Sequence, residues 1–182
     1  TESLVADIAR PIFKAAGIYK QQLKVRLIMD PQPNAFVADS RHIFIHTGLF
    51  SVIPSPEALA GVIAHECGHI TSHHISLKSA QIRDLQHLAA LGTALSIVVG
   101  AASGEPIAAI GAHAGMQEAL LKNMLKYDRE HEAAADESAI KYMRTAGLSV
   151  SGLADFLRIL STEERLAGIS NVDAYWRTHP PT

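Results

Sequence analysis

Cysteine is nearly absent: Cys67 stands alone among 182 residues, so no intrachain disulfide can hold the fold. Aromatic residues are scarce, at 5%. The core must therefore be built mostly from Ala, Leu, Ile and Val, which favours closely packed helices over a sandwich or barrel. No charge of one sign is in excess, because 16 basic residues face 18 acidic ones. A duplex-binding module needs a basic face to displace counterions from phosphate, so nucleic acid is not an expected partner. Disorder is excluded as well, since it requires low hydrophobicity and 48% of this chain is hydrophobic. No signal-peptide pattern is visible, and the chain starts at Thr1, so the sequence itself assigns no compartment. What remains is one domain's length of chain, ample for a real core. Histidine is the abundance: there are ten, and most crowd one short stretch.

The apolar spacing of Leu4, Ile8, Ile12 and Ala15 predicts a helix over 3–19, with Pro11 inside and Gly17 near its end. Strand patterns follow over about 24–50: Lys24 to Met29, Asn34 to Ala38, and His42 to His46 after the turn signal Asp39-Ser40. Ser55-Pro56-Glu57 is a helix start, with a capping hydroxyl, proline at the first helical position and an acid in the first turn. That helix should run over about 55–76. An apolar helical insertion is expected over about 79–126, broken near Gly104-Glu105-Pro106. Further helices should span 128–146, closed by Gly147, and 151–167, closed by Gly168. The expected class is α+β, mostly helical, with a small antiparallel sheet, in a single domain covering 1–182.

Residues 85–104 and 106–117 carry no formal charge. The first run reaches the ~20 residues that cross a bilayer, but Gln86, His87, Thr93, Ser96 and Ser103 interrupt it. The reading is a set of buried or groove-lining helices beside the active site. Contact of 85–117 with a membrane surface or membrane protein is the second reading, and a true membrane span the third.

The chemistry resides in His65-Glu66-Cys67-Gly68-His69. Residues i and i+4 stand one turn apart on one helix face, so both imidazoles can reach one zinc ion. Glu66, beside the first ligand, is placed to take a proton from a water that the metal activates. Small Gly68 lets another backbone approach this helix. A third ligand must come from elsewhere, because His73 on a continuing helix would lie ~12 Å along the axis from His65. His73 and His74 therefore read as groups behind the ligands or at the surface. The better candidate is in the segment from Asp128 to Asp136, where Glu132 and Asp136 share a helix face. Glu132 can bind zinc while Asp136 orients a ligand histidine through its other ring nitrogen. Glu130 and His131 face elsewhere and are the weaker choices.

HExxH followed by Arg129, Glu132, Ala135 and Asp136 resembles the gluzincin peptidase family M48. The resemblance extends to Asn34-Ala35-Phe36, to His42-Ile43-Phe44-Ile45 with Thr47-Gly48-Leu49, to Glu57 and residues 59–64, and to Thr178-His179-Pro180. It covers about 30–182. The family includes CAAX prenyl endopeptidases, HtpX membrane proteases and periplasmic proteases linked to outer-membrane protein assembly. The many membrane spans of the prenyl endopeptidases are missing from this sequence, which argues against prenyl-protein processing.

The resemblance implies a zincin-like fold, in which the HExxH helix packs on the helix of Glu132 and Asp136. It also implies a zinc-dependent endopeptidase acting on extended or misfolded polypeptides, in envelope quality control at the bacterial periplasm or membrane periphery. Asn34, Ala35 and Phe36 would form the edge strand that takes up substrate by strand addition. His179 would fold back over the zinc, either stabilising an oxyanion as a cation or blocking the open position as a fourth ligand; the blocking role is preferred. The alternative class is a non-catalytic or dual-function, chaperone-like zinc-binding module that assists membrane-protein assembly.

Overall fold

The computed structural model describes residues 2–19, 23–103, 106–167 and 179. These form two compact units, one from Thr1–Ile75 with His131–Thr182 and the other from Ser76–Glu130.

In the first unit, α1 (Glu2–Ala15) lays Val5, Ala9, Ile12 and Phe13 into the core along one face. It ends at Gly17, φ 73, where the Ile18 and Gly17 amides donate back to the Phe13 and Lys14 carbonyls. Glycine enters that left-handed conformation without the Cβ penalty, and the helix closes at the glycine expected near its end. Strands β1 (Lys24–Ile28), β2 (Ala35–Asp39) and β3 (His42–His46) form one sheet in the order β1-β3-β2.

The expected antiparallel pairing holds for β2 and β3, whereas β1 pairs with β3 in parallel. The cause lies in residues 29–34, which cross the end of β3 instead of closing a hairpin. Gly48 and Thr47 both donate to the Asp30 carbonyl, and His46 donates to that of Asn34. A side chain at Gly48 would strike the Pro31 backbone, so the crossing depends on that glycine. β3 thus becomes the centre, and among the described residues β2 lies at an edge.

The helix α2 (Pro56–Thr71) runs through the core, and residues 58–70 are all buried. The Ser55 hydroxyl caps it by accepting from the Ala58 amide. Ala-rich and Gly-containing faces let neighbours close in on every side: a Cβ on Gly61 would meet Leu153 of α5 (Ser151–Ala167) at 2.7 Å. The helix stops at Thr71, short of the expected 76. There the Thr71 hydroxyl donates back to the Cys67 and Gly68 carbonyls, and His73 turns the chain with φ 55.

α3 (His74–Ser103) and α4 (Pro106–Thr145) follow; the expected break at Gly104-Glu105 lies outside the described residues. α4 is one uninterrupted helix where two were expected, meeting near 127. No glycine or proline stands between Gly115 and Gly147. Asp128, where the second helix was expected to begin, pairs with Lys78 at 3.1 Å. Gly147, φ 72, then closes α4 as expected.

The second unit holds the parts of α3 and α4 between 76 and 130. Lys78 meets Asp128, and Gly92 abuts Met116, so the two stretches run antiparallel. The apolar run is helical as expected, but its large side chains are not buried: Leu91 and Ile97 are each 66% exposed. Two helices side by side can bury only the seam between them. The helical segment Ser76–Ala102 contains an 18-residue window of mean hydropathy 1.6 and is long and apolar enough to cross a membrane.

Candidate metal centre

α2 presents His65 and His69 one turn apart, and the far half of α4 presents Glu132 and Asp136 to them. The close approach is made by small residues, since a Cβ on Gly68 would lie 2.9 Å from Ala135 Cα and from its carbonyl oxygen. Ala135 sits between Glu132 and Asp136, so the helices touch where the polar groups converge.

Four side chains meet there, from His65, His69, Glu132 and His179, all buried. His65 Nε2 is 3.1 Å from His69 Nε2 and 3.2 Å from Glu132 Oε2, and His69 Nε2 is 3.5 Å from Glu132 Oε1. His179 Nδ1 stands 3.3 Å from His65 Nε2 and 3.1 Å from Glu132 Oε2. Four ligands around a tetrahedral zinc with bonds of about 2.0–2.1 Å are separated from one another by roughly 3.3 Å. These five separations, 3.1–3.5 Å, are close to that value, and all four ligand atoms lie within 4.8 Å of one another.

The electrostatics point the same way. His65 Nδ1 lies 2.9 Å from Asp136 Oδ1. Burial works against a charge on His65, but hydrogen bonds to Asp136 and Glu132 and the charge of Glu66 push its pKa up to about 10. Burial would raise Glu132, yet hydrogen bonds from His179, His65 and His69 hold it well below the usual carboxylate range. Positive charge is thus required among these groups, and a divalent cation meets the requirement in place of protons.

Glu66 is fully buried, and neither carboxylate oxygen accepts a hydrogen bond among the described residues. Its Oε1 lies 3.3 Å from His179 Nε2, and that nitrogen is 3.0 Å from the Ala35 carbonyl oxygen. Burying a carboxylate in this way is costly, and retaining one beside a metal-ligand set suits a proton acceptor. The neighbouring Cys67 thiol is held in the neutral form by burial, and secondarily by Glu66.

Here the comparison with known proteins becomes decisive, because the model of Peptidase family M48 matches residues 1–182. The chain belongs to this metallopeptidase family. Among the relatives of this M48 chain is the beta-barrel assembly-enhancing protease of Escherichia coli K12, 27% identical over 154 residues, or 85% of this chain and 31% of that protein. Mitochondrial metalloendopeptidase OMA1 of Schizosaccharomyces pombe is 29% identical over 94 residues, 52% of this chain and 28% of its own. A protease HtpX homolog of Caldanaerobacter subterraneus is 41% identical over 75 residues, 39% of this chain and 24% of its own. The chain spans about a third of the length of the assembly-enhancing proteases it matches.

All the residues singled out for the M48 centre are brought together: Glu66 with His65, His69, Glu132 and His179, and Asp136 behind His65. Asn34, Ala35 and Phe36 lie at the start of edge strand β2, where Asn34 and Ala35 are buried and Phe36 stacks on Phe44 at 5.4 Å. Of His73 and His74, expected behind the ligands or at the surface, His74 lies behind His69, on a stacking partner, His131, that the sequence did not single out for this role. His74 Nδ1 lies 2.9 Å from His69 Nδ1, and the His74 ring stacks on His131 with centroids 4.1 Å apart. Burial, with the nearby His131 and His69, pulls the pKa of His74 down to about 4, so it is neutral near pH 7. Only Thr71-Ser72, two hydroxyl residues at the end of an apolar run, hinted that the helix ends early enough to allow this.

Proposed function

We propose that this chain is the catalytic domain of a zinc-dependent endopeptidase that cleaves extended or misfolded polypeptides in the bacterial envelope. The observation that carries the proposal is Glu66: a wholly buried carboxylate with no hydrogen-bond donor among the described residues, set against a histidine and carboxylate cluster spaced for one metal ion. His65, His69 and Glu132 would hold the zinc, with Asp136 orienting His65. The bound ion would supply a Lewis acid that acidifies water and polarises the scissile carbonyl. Glu66 would take the proton from the attacking water and pass it to the leaving amine. The arrangement of β2 supports strand addition. The Asn34 carbonyl faces β3, so by the alternation of an antiparallel pair the backbone groups of Ala35 face the open edge.

His179 would regulate access. It stands at the fourth corner of the ligand set and on the Ala35 carbonyl together, so an arriving substrate would displace it from both. This position also favours the alternative, a chaperone-like module with a closed structural zinc, because such sites fill the fourth corner with protein. That alternative leaves Glu66 without a role. Zinc content measured with casein cleavage, before and after a chelator, decides between them. Bound zinc with chelator-sensitive cleavage supports the peptidase, and bound zinc without cleavage supports the module.

A place at the membrane is supported by the exposed apolar side chains of Ser76–Ala102 and by the beta-barrel assembly-enhancing proteases among its relatives. Liposome flotation tests it, and recovery wholly in the soluble fraction at every lipid charge would reject direct lipid contact.

A further inference from the structure

The two histidines of α2 are braced differently. His65 rests its Nδ1 on the Asp136 carboxylate, whereas His69 rests its Nδ1 on another imidazole, that of His74, at the same 2.9 Å. Two ring nitrogens share such a distance when one carries the proton and the other a lone pair. His69 turns its Nε2 toward the cluster, 3.1 Å from His65 Nε2, so a metal there takes the Nε2 lone pair and leaves the proton on Nδ1. His69 is then the donor and His74 Nδ1 the acceptor. His74 is itself held in place, 6% exposed, with its ring plane 11° from that of His131.

The backbone is shaped for this contact. Had α2 continued, residue 74 would stand about 140° around the axis from His69, facing away. Instead α2 ends at Thr71, and His73 adopts φ 55, a left-handed conformation that a residue with a Cβ enters at a cost. The next residue is thereby returned to the back of His69.

We propose that His74 is a positioning residue for the metal ligand His69, a neutral acceptor that fixes its tautomer and ring plane. Neutrality matters to the charge of the centre. Glu132, Asp136 and Glu66 already bring three carboxylates to a divalent ion, and a fourth at 74 would add further negative charge and make the ion a weaker Lewis acid. The inference rests on the metal-binding reading above.

Zinc affinity by chelator competition tests it, in the wild type, His74→Ala, His74→Leu and His74→Asn. The alanine variant should lose about 10–100-fold, the range for a lost partner behind a ligand. Leucine, which fills the space without accepting, should lose as much, and it replaces alanine if that variant does not fold. Asparagine, whose Oδ1 stands close to the Nδ1 position and accepts the same hydrogen bond, should recover most of the loss. Wild-type affinity in the alanine or leucine variant overturns the proposal, as does a folded asparagine variant no tighter than leucine. Failure of the wild type to bind zinc would instead overturn the metal reading itself.

Discussion

Gly68→Ala puts the packing of the ligand helices to a quantitative test. The added Cβ would stand 2.9 Å from Ala135 Cα, 2.9 Å from its carbonyl oxygen and 3.1 Å from Ser138 Cβ. Carbon atoms in good contact are about 3.5–4.0 Å apart, so α2 and α4 must part by roughly half an ångström or more. Two of the obstructing atoms are backbone, which cannot rotate aside. Overpacking of this kind costs about 1–3 kcal/mol, and alanine returns ~1 kcal/mol of helix propensity, leaving a net loss of roughly 0–2 kcal/mol. In a chain of this size that lowers Tm by a few degrees, at about 2–4 °C per kcal/mol. The larger effect should fall on metal binding. Gly68 lies between His65 and His69, and Ala135 between Glu132 and Asp136, so any separation draws the carboxylate away from both imidazoles. Ligand distances tolerate only about 0.2 Å, and zinc affinity should drop at least ~10-fold. Thermal unfolding of the zinc-free protein and chelator competition measure the two effects. An alanine variant with undiminished Tm and wild-type zinc affinity would refute the reasoning.

Glu132→Ala should weaken zinc binding far more than Glu130→Ala, because Glu130 is an exposed partner of Lys126 at 3.8 Å while Glu132 lies in the buried cluster. Asp136→Asn should fall between them, within the ~10–100-fold of a group acting through a ligand, and equal affinities in all three would reject the assignment. His179→Ala should raise the peptidase rate by clearing the fourth corner and the Ala35 carbonyl. A fall of ~10²–10³ would assign it to oxyanion stabilisation instead, and an unchanged rate with unchanged zinc affinity would deny it both roles.

The parts of this fold that local chemistry decides were legible in the sequence. Ser55-Pro56 marks the start of α2 because capping and proline geometry need no distant partner. Gly147 marks the end of α4 for the same reason. Glu132 and Asp136 could be assigned to one face because their spacing is a single helical turn. The parallel β1-β3 pair was not legible, since turn residues report that the chain reverses but not that residues 29–34 step across a neighbouring strand. Nor was the unbroken α4, because an acid such as Asp128 suits a helix start as well as a pairing with Lys78. His74 was expected behind the ligands or at the surface, but its contact with His69 in particular was not legible, because it depends on a left-handed turn at His73, where no glycine announces it.

The central claim is that Glu66 is the proton acceptor of a metal-dependent peptidase. Glu66→Gln keeps the shape of the side chain and replaces none of the proposed metal ligands, but an amide cannot take the proton from water. The measurement is zinc per chain together with the rate of peptide cleavage in that variant. The account predicts one zinc ion, as in the wild type, with cleavage reduced by at least ~10²–10⁴. Cleavage near the wild-type rate by the zinc-loaded variant would contradict it.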